Sequence, residues 1–127
     1  MGSPDNRYEL HVDADPSALP AIRMFVRAVA RSIDADAERV DDVQLIVSEI
    51  SSELLESGGR ELHVTVETGV DALDVAIDGA GAIVTPDAED NGFRWELLRS
   101  LSPDAAWSES GARFRVTMPA ASSDHER

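Results

Sequence analysis

Asp42, Glu49 and Glu53 stand seven and four residues apart within DDVQLIVSEISSELLESGG, the stretch from Asp41 to Gly59. Carboxylates at such steps share one side of a helix, where they could hold a divalent cation, take a proton or meet a basic partner. Val40, Val43, Val47, Ile50 and Leu54 recur at steps of three and four through the same stretch. They make the buried stripe, and the acids lie on its flank. Gly58 and Gly59 supply a helix stop. A solvated flank is the bland reading of the acidic row, because charges on helices usually face water.

The elements that must position this row follow from the periods around it. Tyr8, Leu10 and Val12 alternate with Glu9, His11 and Asp13, which predicts a strand with one buried face. Asp15 before Pro16 starts a helix, and Leu19, Ile22, Val26, Val29 and Ile33 form its inner face. A break around Asp34 to Asp36 precedes the acidic-row helix. Beyond the glycines the period falls to two. Leu62, Val64 and Val66 make one strand and Leu73, Val75 and Ile77 the next, joined by a turn at Gly69 to Asp71 as an antiparallel hairpin. Asp78 to Asn91 has no period and reads as a long loop. Trp95, Leu98 and Leu101 predict a third, shorter helix; Ala105 to Ser108 and Phe114, Val116 and Met118 predict a closing hairpin around Ser110-Gly111. The expected organisation is a loose arm over 1–7, one domain over 8–119 and a polar tail over 120–127. His11 and His63 fall on separate strands and His125 in the tail, so the sequence by itself suggests no metal constellation.

Composition narrows the partners. With 25 acidic against 11 basic residues the formal charge is -14, which speaks against nucleic acid, whose phosphates need a basic footprint. A basic protein surface suits it better, although solubility alone would account for the same charge. Cysteine is absent, excluding disulfides and cysteine-ligated zinc. No apolar run approaches the roughly 20 residues of a membrane-spanning helix, and no secretory signal opens the chain. The expected location is the cytoplasm.

The order strand, helix, helix, hairpin, loop, helix, hairpin resembles the gyrase, histidine-kinase and MutL type of ATPase domain, and within it the bacterial anti-sigma-factor serine kinases. Asp42, Leu45, Ser48 and Glu49 match the most specific motif. The resemblance implies an α/β fold of the α+β sandwich kind: a mixed, mostly antiparallel sheet of about five strands with three helices on one face. It gives Glu49 the general-base position and places Glu53 where an Asn would hold magnesium. Gly79 and Gly81 match a Gly-x-Gly, but the preceding Asp that would accept the adenine amino group is Ile77. Asp78 cannot simply replace it, since neighbouring strand residues face opposite ways. Sliding the register to Asp78 puts Ala80 and Ala82 at the glycine positions. Gly92 keeps the first glycine of a phosphate-binding turn whose second is Arg94, and the closing Gly-Thr is Gly111-Ala112.

Four departures in four motifs lead us to expect a fold retained with its nucleotide site degenerate, and neither ATP nor magnesium as a cofactor. The resemblance then implies an anti-sigma factor that sequesters an alternative sigma factor, is countered by a STAS-type anti-anti-sigma protein, and belongs to a group whose members commonly form homodimers. An active ATP- and magnesium-dependent serine kinase, with Glu49 as base and Glu53 at the metal, is the alternative. A scaffold that binds neither partner is a third possibility.

Overall fold

A computed structural model describes residues 6–69, 71–83, 99–100, 102, 105–107 and 110–117. Within these, β1 (Asn6–Asp13) is followed by a short 3-10 turn (Pro16–Ala18), α1 (Leu19–Ser32), α2 (Ala37–Glu56), β2 (Glu61–Thr68), β3 (Ala72–Ala80), β4 (Ala106–Trp107) and β5 (Gly111–Thr117). The strands form one sheet in the order β1-β2-β3-β5-β4, and every pairing is antiparallel. The expected α+β class and sheet are therefore present. Of the third helix, Arg99 and Ser100 are helical, while residues 84–98 and Leu101 lie outside the described residues, as does the tail.

Local chemistry sets the element boundaries. The Asp15 carboxylate accepts from Ser17 N at 2.9 Å, and this backbone donor holds its pKa below the ordinary value. The Asp36 side chain accepts from Arg39 N at the start of α2, so that helix begins at Ala37, one turn before the acidic stretch suggested. Its end is closed by Gly59 N donating to Leu54 O at 2.9 Å, with Gly58 at φ +95° in the left-handed region that glycine tolerates. Asp78, Gly79 and Ala80, expected in the long loop, extend β3 instead. Asp78 is in register with His63 and Gly111, and Gly79 N donates to Ser110 O at 2.7 Å. Ladder pairing from two neighbouring strands overrides the low strand propensity of these residues.

Both helices lie against the same side of the sheet. Ile22, Val26 and Val29 of α1 and Val40, Val43, Ile46, Val47, Ile50 and Leu54 of α2 meet Leu62, Val64, Val66, Leu73, Val75, Ile77, Phe114 and Val116 from the strands. Each fully buried aliphatic side chain contributes about 1.5–3 kcal/mol of transfer free energy, so this single layer dominates the stability. Ser51 lies within it, fully buried, and its Oγ has no hydrogen-bond partner among the described residues. An unsatisfied buried hydroxyl is unfavourable, and alanine is the better helix former. Ser51→Ala should raise the unfolding free energy by about 1 kcal/mol in urea titration; a loss would reveal that the hydroxyl has a partner after all.

The opposite side of the sheet is polar, and the register arranges it in rows. Arg7, Glu67, Asp74 and Arg115 form one row across four strands; Glu9, Thr65, Ala76 and Arg113 form the next; His11, His63, Asp78 and Gly111 the third. Arg115 grips Asp74 with two bonds of 2.8 and 3.0 Å. Arg7 reaches both Glu9 and Glu67 at 3.0 Å.

Candidate functional site

Helix α2 carries the acidic row as its spacing requires, with Asp42, Glu49 and Glu53 all half-buried. Glu49 and Glu53 are one turn apart, a like-charge pairing that costs about 0.2–0.5 kcal/mol on an isolated helix. Ser57 Oγ donates to Glu53 Oε2 at 3.3 Å, and Ser57 O accepts from Ile83 N at 3.0 Å. The end of α2 is thereby tied to the exit of β3. Ser48 points the other way, its Oγ accepting from Arg23 Nη1 at 3.3 Å, while Gln44 Nε2 donates to Arg23 O at 3.2 Å. These two bonds fix α1 against α2.

The Gly-x-Gly residues sit beside this helix end, and each glycine has a local steric reason. A Cβ on Gly79 would stand 3.2 Å from the Leu54 Cβ and 3.3 Å from the Ala82 Cβ, where β3 passes under α2. Gly81 has φ +87°, with the Arg60 guanidinium 3.1 Å from the place of a Cβ. Ile77 points inward, fully buried between Val64 and Ala112. It offers no acceptor to a nucleobase. Asp78 lies on the open face with its side chain exposed, so the carboxylate next in sequence cannot serve the inner side. Ala112, at the hydroxyl position of the closing motif, is 6% exposed. Gly92 and Arg94 lie outside the described residues. The structure thus places Gly79 and Gly81 beside the C-terminal end of α2, with Glu53 in its last turn and Glu49 one turn earlier, and residue 77 presents a buried, apolar side chain.

On the open face the register corrects the expectation of no metal constellation. His11 and His63, 52 positions apart in sequence, are direct partners across β1 and β2. Their rings stack with centroids 3.9 Å apart and an interplanar angle of 16°. Glu9, two residues before His11 on the same face, brings Oε1 to 3.1 Å from His63 Nε2 and 3.7 Å from His11 Nε2. Its carboxyl is held below the usual glutamate range, chiefly by the hydrogen bond from Arg7 and then by that from His63. Alternation placed all three residues on polar faces, but only the pairing register puts them side by side.

The sequence pattern of the family described as "Histidine kinase-like ATPase domain" matches residues 12–118. Among solved structures, the chain is similar to the RsbU and RsbW domains of Rv1364c from Mycobacterium tuberculosis, with a TM-score of 0.70 and 18% identity. The likeness covers 91% of this chain and 34% of that one, so the chain spans about a third of that structure's length and shares its fold there. No curated protein matches the chain. Among the described residues no helix is long and apolar enough to cross a membrane.

Proposed function

The chain belongs to the histidine kinase-like ATPase family, and from that premise we propose that it is a cytoplasmic regulator of transcription acting by protein binding. In this reading it sequesters an alternative sigma factor and is countered by a STAS-type anti-anti-sigma protein, without competent ATP binding. The observation that carries the loss of ATP binding is the buried, apolar Ile77 at the position where the family reads adenine, with Asp78 facing the other side of the sheet. An interaction with a charged acceptor is worth about 1.5–3 kcal/mol, and base selectivity goes with it. The net charge of -14 supports a basic partner, because sigma factors present basic surfaces to DNA. Likeness to a structure that contains an RsbW domain is compatible with this branch of the family.

The second reading, a protein serine kinase, rests on Glu49 and Glu53 standing half-buried one turn apart in the C-terminal half of α2. Calorimetric titration separates the two. We expect no saturable heat with ATP and magnesium up to about 1 mM nucleotide, equivalent to binding weaker than about 4 kcal/mol. Micromolar binding abolished by Glu49→Ala or Glu53→Ala would sink the binding-only reading. Pull-down from the native cytoplasm with mass spectrometry should recover a sigma factor and a STAS protein; recovery of neither would leave the scaffold role.

A further inference from the structure

We propose that Glu9, His11 and His63, on the open face of the sheet, form a binding site for a borderline divalent transition-metal ion of the zinc class. The site is independent of the nucleotide motifs, since it lies on the side of the sheet away from α2. Two imidazoles and a carboxylate are a donor set suited to zinc, nickel or copper rather than to magnesium or calcium, which favour all-oxygen ligation.

The distances are those an ion needs. Donors bound tetrahedrally at about 2.0–2.1 Å are about 3.3 Å from one another, and Glu9 Oε1 lies 3.1 and 3.7 Å from the two Nε2 atoms. One ligand atom from each of the three residues falls within 4.8 Å of the others. The scaffold is rigid where it matters, because His11 and His63 are opposed in the β1–β2 ladder and Glu9 is opposed to Thr65 one step along. Only the rings move. Their ring planes lie 16° from parallel with centroids 3.9 Å apart, so sharing one ion requires the His11 and His63 side chains, 58% and 33% exposed, to rotate out of the stack. Arg7 binds the other carboxylate oxygen, Glu9 Oε2, at 3.0 Å and so leaves Oε1 to the histidines. Such a hydrogen bond orients a ligand from outside the coordination shell. Water completes the coordination, as the face is open.

Zinc chloride titrated into the full-length, tag-free chain is the test, followed by calorimetry and by the histidine ring signals in NMR. The expected result is uptake of one zinc per chain, with the His11 and His63 ring resonances shifting together. The double variant His11→Gln, His63→Gln should lose affinity by at least about 10- to 100-fold, and Glu9→Gln should lose part of it. All three side chains are substantially solvent-exposed, and circular dichroism confirms that the variants remain folded. His125→Gln should bind as the parent chain does. Zinc uptake that survives the double variant, or that disappears with His125→Gln, overturns the assignment, as does the absence of uptake in the parent chain.

Discussion

Ile77→Asp should remove about 4 kcal/mol or more of folding stability, a large share of the about 5–15 kcal/mol that a domain possesses. The isoleucine is fully buried, with Val64 on one side and Ala112 on the other. Removing it sacrifices aliphatic burial and leaves a void, together worth about 2–5 kcal/mol in comparable truncations. The incoming carboxylate meets apolar neighbours. It must stay protonated or open the sheet to water, and either adds to the loss. The neighbouring exchange Asp78→Asn sits on the exposed face and should stay within about 0.5 kcal/mol of the parent. Urea denaturation of the pair measures the contrast directly. The result also bears on function, because this substitution restores the acid that the family uses to read adenine. A well-folded Ile77→Asp chain that acquires ATP binding would show that residue 77 faces a serviceable pocket which its isoleucine closes to the nucleotide, in support of the binding-only proposal; ATP binding by the parent chain would overturn it.

The second large effect concerns Gly111→Ala, expected to cost about 2–3 kcal/mol, toward the upper end of overpacking penalties. A Cβ built on Gly111 collides with the backbone carbonyl oxygen of Ile77 and stands 2.7 Å from Asp78 Oδ1 and 3.0 Å from Asp78 Cα. Two of these atoms are backbone, so no rotamer relieves them. The strand must shift, which strains the Ile77–Ala112 and Asp78–Gly111 pairs and the Gly79–Ser110 hydrogen bond. A glycine that the motif reading assigns to the closing Gly-Thr thus has a sufficient reason in sheet packing alone. Thermal unfolding of Gly111→Ala would decide it; a transition unchanged from the parent would mean that β5 yields more readily than its pairing implies.

Much of the fold was legible because it rests on short-range patterns. The stripe from Val40 to Leu54 and the alternation of Leu62, Val64 and Val66 read out at the periods of helix and strand, and those residues are buried as expected. The motif residues were harder. Glu49 and Glu53 could be placed on one helix flank, yet nothing local says that Ser57 would hold Glu53 or that Ser48 would turn toward Arg23. The extension of β3 through Asp78 and Gly79 was hidden because aspartate and glycine are poor strand formers, and what holds them is pairing to β2 on one side and, on the other, to β5 residues over thirty positions away. His11 and His63 were hidden for the same reason in stronger form. Their neighbourhood depends on the β1–β2 register across two intervening helices.

Among the described residues, helices on one side of the sheet only have a consequence for how such a protein can change over generations. Alternate residues along every strand answer to different masters: one set must fill the core, while the other meets solvent and can be replaced at little cost. New chemistry can therefore be written on the outer set without editing the inner one, and an old site against the helices can be filled with aliphatic side chains while the outer set stays as it was. Ile77 and Asp78, adjacent in sequence and opposite in facing, show that division within a single step of the chain.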